Sequence, residues 1–252
     1  MKIVISPAKT LDFETAPPTT QFSEGIFYTE AEKLNGVLKK KTPKKLAALM
    51  GISAQLSELN WERNQVWKLP FSLKNAKQAI YAFKGEVYVG LDAYTIPLDK
   101  IAQLQLKLRI ISGQYGLLRP LDLIQPYRLE MGSNLKIGRK KNLYEYWDNK
   151  LTTSLNSELT DDEVLVNLAS KEYFKAIRPK LLKVPIVTPV FKDYKDGKLK
   201  MIGFFAKKAR GLMVRYIIDN NIDNAEDLKG FDYEGYAFDG NLSTATELVF
   251  TR

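Results

Sequence analysis

The sequence contains neither histidine nor cysteine. Without cysteine there is no thiolate nucleophile, no disulfide framework, and no iron–sulfur cluster or structural zinc site built on thiolates. Without histidine there is no Ser-His-Asp triad, no imidazole metal ligand and no imidazole proton shuttle. Any catalysis by this chain must therefore use Asp, Glu, Lys, Tyr, Ser or backbone groups.

Long apolar runs are also missing. No segment approaches the roughly 18–20 apolar residues that cross a bilayer, and the apolar stretch at the start of the chain is too short for a signal peptide. A chain without cysteine is compatible with a reducing compartment. We therefore predict a cytoplasmic protein that does not bind a membrane.

The charge of the chain is strongly unbalanced. Its 252 residues include 38 Lys and Arg against 29 Asp and Glu, which gives a net charge of +9. Such an excess favours polyanionic partners, because the release of condensed counterions drives binding to phosphates. A generally basic composition explains the charge equally well, so the position of the basic residues decides between the two interpretations.

Strand patterns and helix patterns alternate along the chain. Strands are predicted at 2–5, 106–111, 164–168 and 185–190, with hairpin strands at 79–83, 87–90 and 200–205. Helices are predicted at 30–38, 43–50, 54–66, 100–106 and 206–219. No repeat or linker divides these segments. The pattern predicts one domain over 1–252, of α/β (mixed α+β) class, with a central mixed sheet flanked by helices.

Four predicted strands end in hydroxyl-bearing or cationic residues. Ligands of open α/β sheets bind beyond the carboxyl ends of the strands, beside helix N-termini. If the four ends converge, they form a cationic cleft suited to phosphate; otherwise each is a strand stop followed by a helix cap. The phosphate-binding candidates are Ser6, Lys9, Ser112, Arg128, Ser170, Lys207, Lys208 and Arg210.

The segment 112–132 places four charged residues in an apolar background. Buried charges are unfavourable unless they are paired. Asp122 is expected to pair with Arg119. Two roles remain open for Arg128: an ion pair with Glu130, or a bidentate contact to phosphate beside a base stacked on Tyr115 or Tyr127.

The same cleft would suit an enzyme that acts on a nucleotide, a nucleobase or a nucleic acid. With no histidine, a carboxylate would be the general acid or base, and a lysine would be the nucleophile or phosphate clamp. The catalytic candidates are Lys9, Tyr115, Glu130 and Glu172. No cofactor is predicted, and direct metal binding is not expected, because the chain lacks a paired-carboxylate helix motif.

Residues 39–66 combine a lysine cluster with two predicted helices. Pro43 suits the first position of one helix, Gly51 ends it, and Ser53 caps the next. A helix, a turn containing glycine and a second helix resemble the helix-hairpin-helix module, whose turn amides contact DNA phosphates without reading bases. The second glycine of that module is replaced here by Ser53. The nucleic-acid-binding candidates are Lys39, Lys40, Lys41, Lys44, Lys45, Gly51, Ile52 and Ser53.

Four segments of the chain resemble the YaaA family of bacterial peroxide stress proteins. They are residues 6–12 (Ser-Pro-Ala-Lys-Thr-Leu-Asp), 112–132, 167–173 (Asn-Leu-Ala-Ser-Lys-Glu-Tyr) and 206–213 (Ala-Lys-Lys-Ala-Arg-Gly-Leu-Met). These strings are long and unusual, and they are spread over nearly the whole chain. Gln114 departs from the pattern, because an apolar residue is expected at that position.

The resemblance implies a protein that limits damage to DNA during hydrogen peroxide stress, in part by lowering free intracellular iron. It also implies a compact α/β domain with a basic concave face, and a helix-hairpin-helix that binds duplex and branched DNA. It implies no catalytic mechanism. Two functions therefore remain open: a DNA-binding stress protein, and an enzyme with a nucleotide-like substrate in the cleft.

Overall fold

A mixed β-sheet runs through the centre of the protein, whose computed structural model describes residues 1–252. The strands are β1 (Lys2–Ile5), β2 (Thr10–Leu11), β3 (Lys77–Gln78), β4 (Phe83–Lys84), β5 (Leu108–Ser112), β6 (Gly116–Leu118), β7 (Leu123–Ile124), β8 (Leu165–Leu168), β9 (Ile186–Lys195), β10 (Lys198–Lys200), β11 (Ala237–Phe238) and β12 (Glu247–Thr251). The α-helices are α1 (Tyr28–Leu38), α2 (Pro43–Met50), α3 (Ala54–Val66), α4 (Ala79–Ala82), α5 (Glu86–Leu91), α6 (Ile101–Lys107), α7 (Leu143–Trp147), α8 (Lys150–Glu158), α9 (Lys171–Phe174) and α10 (Gly203–Asp219).

Five parallel strands form the middle of the sheet, whose full order is β11-β12-β9-β8-β1-β5-β6. Strands β12, β9, β8, β1 and β5 pair in parallel, while β6, β10 and β11 add antiparallel pairs at the margins. Every residue of β1, β5 and β8 is buried, as expected for parallel strands that are covered on both faces. The predicted α/β class and central mixed sheet are therefore confirmed.

The connections of β1 create a point at which the chain changes direction across the sheet. From β1 the chain reaches β5 on one side, and then crosses to β8 on the other side. The five parallel strands thus have the 2-1-3-4-5 order of a doubly wound sheet. In such sheets a crevice opens beyond the carboxyl ends of the strands where the order reverses. Here that place is the end of β1 and β8.

The predicted helices are found close to their predicted positions as α1, α2, α3, α6 and α10. The hairpin predicted around Lys84 and Gly85 is wrong, because most of 79–91 forms the short helices α4 and α5. In α5 the buried side chains Val87, Tyr88 and Leu91 recur at helical spacing, which the short apolar run concealed.

The strand predicted at 200–205 is also largely wrong. The turn before it is present, with Asp196 and Gly197 at positive φ, but β10 ends at Lys200 and α10 begins at Gly203. The residues predicted to follow a strand end therefore lie on the first turns of a helix.

Two glycines set the distance between α5 and α10. A Cβ atom on Gly211 would overlap the carbonyl oxygen of Val87, and a Cβ atom on Gly90 would overlap that of Lys208. The two helix backbones are consequently in direct contact. This crossing holds the first half of α10 beside the ends of β1 and β8. No helix combines the length and the apolar character needed to span a membrane.

Candidate functional site

A cleft of about 460 Å³ opens beyond the carboxyl ends of β1 and β8. We name it the strand-end cleft. Six of the residues singled out from the sequence line it, namely Ser6, Lys9, Ser170, Glu172, Lys207 and Arg210. Its position is the reversal point of the strand order, where ligands of doubly wound sheets bind.

Two serines join the strand ends at the cleft. The backbone N–H of Ser170 donates to Ser6 Oγ at 2.9 Å, and the two hydroxyl oxygens are 3.3 Å apart. The hydroxyl of Tyr88 donates to the carbonyl oxygen of Ser6 at 3.1 Å. Ser170 is also the N-cap residue of α9, with its Oγ 3.5 Å from the amide of Tyr173. The strand ends are therefore connected by hydrogen bonds that fix their relative position.

Glu130 connects two cations beside the cleft. Its Oε2 lies 2.7 Å from Lys9 Nζ, and its Oε1 accepts a hydrogen bond of 3.2 Å from Arg128 Nη2. The ion pair expected between Arg128 and Glu130 is thus present. The Nε atom of Arg128 is buried and has no partner. Arg128 does not line the cleft, and Glu130 links it to Lys9, which does.

Helix α10 contributes the cations on the opposite side. Lys207 is exposed, and Arg210, one turn further along, is half-buried. Arg210 forms no ion pair and no hydrogen bond, and burial lowers the pKa of its guanidinium. Lys208, which was predicted to belong to the same site, instead pairs with Glu234 and does not line the cleft. Helical geometry explains this, because neighbouring residues of a helix point in different directions.

Glu172 is held by a neighbouring loop. Its Oε1 accepts from the backbone N–H of Gly132 at 2.8 Å, and its carbonyl oxygen accepts from the hydroxyl of Tyr144 at 3.0 Å. Burial is the main cause that raises the pKa of the adjacent Tyr173, with Glu172 second. The hydrogen bond from Gly132 thus orients one oxygen of the Glu172 carboxylate at the edge of the cleft.

Two predicted site residues lie in the core instead. Ser112 is fully buried, and its Oγ is 2.7 Å from the hydroxyl of Tyr127. Tyr115 is 1% exposed, and its hydroxyl accepts from Trp67 Nε1 at 2.9 Å. Its ring cannot stack on a base, and the same holds for the ring of Tyr127, which is 6% exposed. Trp147 covers this end of β5 and donates from Nε1 to the carbonyl of Gly113.

Of the four strand ends predicted to converge, two therefore meet at the cleft. The third, the end of β5, is covered by the helix that carries Trp147. The fourth predicted strand end is absent, because the chain there begins α10. Sequence reasoning missed Lys84 and Glu86, which also line the cleft, because the segment was assigned to a hairpin.

The second candidate site is the turn between α2 and α3 with the lysines before it. We name residues 39–66 the lysine hairpin. Gly51 has φ +62°, and a Cβ atom there would contact nothing within 4 Å. Ser53 Oγ accepts from the amide of Leu56 at 3.3 Å, as expected for an N-cap residue. The predicted order of helix, glycine turn and capped helix is therefore present.

Not all amides of this turn are free to contact phosphate, although the helix-hairpin-helix resemblance leads us to expect it. The N–H groups of Gly51 and Ile52 both donate to the carbonyl of Ala47, which closes the end of α2. The amide of Ile52 is consequently engaged within the protein. The amides that form no hydrogen bond are those of Ser53, Ala54 and Gln55, at the start of α3.

The lysines of the hairpin are accessible and have no acidic partners. None of them forms an ion pair, and only Lys41 is partly shielded. Lys39 donates to the carbonyl oxygen of Gln65 at 3.0 Å, which ties the end of α1 to the end of α3. A groove of about 320 Å³ runs between Lys39–Lys41 and α3, where it is lined by Glu58 and the partly exposed Trp61.

Neither site gathers the carboxylates that a metal centre without histidine or cysteine would require. Residues 1–252 contain no group of three or more Asp or Glu side chains placed to hold a metal ion. The arrangement offers cations, hydroxyl groups and free backbone amides, all of which bind phosphate oxygens.

The comparisons with known proteins agree on one family. A family model described as peroxide stress protein YaaA matches residues 1–242. A UPF0246 protein of Flavobacterium johnsoniae is 62% identical over 252 residues, which is the whole of both chains. A UPF0246 protein of Flavobacterium psychrophilum is 60% identical over the whole of both chains. A UPF0246 protein of Hahella chejuensis is 52% identical, covering 100% of this chain and 99% of its own.

Proposed function

Since the chain belongs to the peroxide stress protein YaaA family, with a role in peroxide stress, we propose that it acts there as a DNA-binding protein. It binds duplex or branched DNA through the lysine hairpin, and it helps limit iron-dependent oxidative damage. Its effect on iron is indirect, because carboxylates without histidine or cysteine are a poor donor set for a resident iron site.

The observation that carries the proposal is the unpaired lysine cluster at one end of two capped helices. Five lysines lie within seven residues, and none of them pairs with a carboxylate. Like charges this close repel each other unless a polyanion neutralises them. Their neutralisation by phosphates would release counterions, which supplies most of the affinity of sequence-independent DNA binding.

The free amides at the start of α3 give the complex a defined geometry. Those of Ser53, Ala54 and Gln55 point out of the N-terminus of a 13-residue helix, where the helix dipole favours an anion. A backbone phosphate bound there positions the hairpin on DNA without reading its sequence. Trp61, 36% exposed in the lysine groove, offers a stacking surface for an unpaired base at a junction.

The test is to replace Lys39, Lys40, Lys41, Lys44 and Lys45 with Gln. DNA affinity should fall uniformly across sequences, and the dependence of log K on log salt should flatten by up to about 0.9 for each phosphate contact that is lost. Fluorescence anisotropy with a labelled duplex and a labelled four-way junction, between low and moderate salt, measures both quantities.

A matched variant tests whether DNA affinity depends on where the lysines lie or only on how many positive charges the protein carries. Replacing five exposed lysines elsewhere, Lys180, Lys183, Lys195, Lys198 and Lys200, removes the same net charge while leaving the hairpin intact. This control should retain most of the affinity and most of the salt dependence. If both variants lose affinity equally, the binding is unspecific attraction to a basic protein and the hairpin is not its site.

A further inference from the structure

The strand-end cleft is a second cationic site, separate from the lysine hairpin. We propose that it binds the phosphate group of a small phosphate monoester, such as a nucleotide, with Arg210 and Lys207 as the principal phosphate ligands. The volume of about 460 Å³ falls within the range of roughly 300–1,000 Å³ that is typical of small-molecule pockets. The inference does not depend on DNA binding by the hairpin.

Arg210 carries the proposal because it is half-buried without a counter-charge. The four cations that the fold buries more fully, Lys2, Lys77, Lys107 and Arg109, each donate to a carbonyl or carboxylate oxygen. Arg210 has no such partner, although partial burial of an unpaired guanidinium is unfavourable. A ligand that enters the cleft with two or three anionic oxygens would supply the missing partner, because guanidinium and phosphate match in a bidentate geometry.

The helix backbone that carries Arg210 is held in place before any ligand arrives. Arg210 directly precedes Gly211, whose missing side chain allows α10 to contact the backbone of α5. The guanidinium therefore projects from a helix that cannot shift without separating the two backbones. A cation carried on a fixed backbone loses less freedom on binding an anion than one on a mobile segment.

The side chains that line the cleft carry more positive than negative charge, which favours an anionic ligand. Lys9, Lys84, Lys207 and Arg210 line it, against the carboxylates of Glu86 and Glu172. Glu172 already accepts from the amide of Gly132, and Lys9 is bonded to Glu130. Lys84, Lys207 and Arg210 form no ion pair. The hydroxyl group of Ser170 adds a neutral donor at the strand ends, while that of Ser6 donates to Ser170 Oγ.

The site is tested by calorimetric titration of the full chain with adenosine 5′-monophosphate and with inorganic phosphate at low salt. We expect saturable binding at one site per chain. Arg210→Gln should weaken binding about ten- to hundredfold, because it removes one or two hydrogen bonds between charged groups. Lys207→Gln should weaken it less, because its exposed ammonium is a point charge without the fork geometry.

The thermal midpoint distinguishes a ligand site from a structural role. Because Arg210 has no partner in the free protein, Arg210→Gln should melt at or above the temperature of the parent, whereas a structural role predicts a lower midpoint. Adenosine 5′-monophosphate should raise the midpoint of the parent and, at the same concentration, raise that of Arg210→Gln by less. Lys207→Gln provides the same comparison if Arg210→Gln does not fold.

Two further measurements keep this site apart from the lysine hairpin. The variant with five hairpin lysines replaced by Gln should bind adenosine 5′-monophosphate like the parent, and Arg210→Gln should bind duplex DNA without terminal phosphates like the parent. Competition by a 5′-phosphorylated oligonucleotide, but not by its unphosphorylated form, would identify a DNA end as the source of the phosphate. No competition by either would identify a free small molecule. Absence of binding by both probes, or equal binding by Arg210→Gln, would overturn the proposal.

Discussion

At the scale of single residues, Glu130 joins two cations with different degrees of burial. The side chain of Lys9 is 62% exposed, whereas that of Arg128 is 16% exposed. An exposed ion pair contributes about 0–1 kcal/mol, so Lys9 can exchange Glu130 for a ligand at little cost. Arg128 is enclosed and directs its guanidinium at Glu130. The structure thus favours the ion-pair role that the sequence left open for Arg128.

Part of the candidate site was predictable from residues alone. Ser6, Lys9 and Ser170 were placed correctly at strand ends, because a short apolar run followed by a hydroxyl-bearing residue is typical of a buried strand and its end. Lys207 and Arg210 were correctly predicted to lie on a helix, but the strand end predicted directly before that helix is absent. The burial of Tyr115 was not predictable, because it depends on Trp67 and Phe71, which are distant in sequence. The burial of Ser112 depends on its contact with Tyr127, whose own burial the sequence does not show.

Gly51 offers a residue-scale prediction for the lysine hairpin. Its φ of +62° lies in the left-handed region, which glycine adopts without strain, and a Cβ atom there would meet no neighbour within 4 Å. Gly51→Val should therefore destabilise the protein by about 1–2 kcal/mol for conformational reasons alone. If the first amides of α3 contact phosphate, DNA affinity should also fall well beyond the loss of folded protein. Thermal melting and low-salt DNA titration on one sample measure the two effects.

Gly51→Asn is the control for that experiment, because Asn tolerates the left-handed region better than other residues. It should preserve both the melting temperature and the affinity. A Gly51→Val protein that melts normally and binds DNA as the parent does would show that the hairpin does not form the DNA contact.

At the scale of elements, the longer helices were the most predictable parts of the fold. α2, α3 and α10 carry caps, glycine stops or long helical periodicity that a reader can recognise. The region 79–91 was misread, because four-residue and six-residue helices show too few turns to establish a period. The conformation of α5 depends on packing against α10, through Gly90, rather than on local pattern.

The helix crossing makes a testable prediction about two glycines. Gly211→Ala should destabilise the protein by about 1–3 kcal/mol, because the added methyl group must displace the backbone of α5. Gly36→Ala, in α1, should have the opposite sign and stabilise by about 0.5–1 kcal/mol, because nothing lies within 4 Å of its new Cβ atom and Ala favours helix. Urea denaturation of both variants measures the difference.

Gly211→Ala should also affect ligand binding in the strand-end cleft. Since α10 carries Lys207 and Arg210, a displaced crossing should also weaken binding of adenosine 5′-monophosphate by the folded Gly211→Ala protein. The Gly36→Ala protein should bind as the parent does. Equal stability of the two variants would show that α5 and α10 are not in backbone contact.

At the scale of the whole molecule, the absence of histidine determines how the protein responds to pH. No side chain of the chain has an ordinary pKa between about 5 and 8, because histidine and cysteine are absent. The buried tyrosines do not fill this gap, since burial raises the pKa of Tyr81 to about 12. Neither the charge of the lysine hairpin nor that of the strand-end cleft should change in that range.

Carboxylates alone set the acid limit. Hydrogen bonds from Thr15 hold the pKa of Asp12 well below its usual value, one from Lys107 lowers that of Asp223, and one from Lys208 lowers that of Glu234. A carboxylate whose pKa is lower in the folded state stabilises the fold above its unfolded pKa, and this contribution disappears as the pH falls through the folded value. Protonation also increases a net charge that is already +9 at pH 7, and thus adds self-repulsion.

The free energy of unfolding should therefore be nearly constant between about pH 5.5 and 7 and decrease below about pH 4.5, where carboxylates of the unfolded chain begin to bind protons. Urea unfolding at constant ionic strength measures this profile, and DNA titration over the same range should give an equally flat affinity. Asp12→Asn should lower stability at pH 7 and reduce the decrease in acid, because it removes one of the groups responsible. A transition in stability or affinity between pH 6 and 7 would require a group that titrates there, and would contradict the assignment of both anion sites to lysine, arginine and backbone amides.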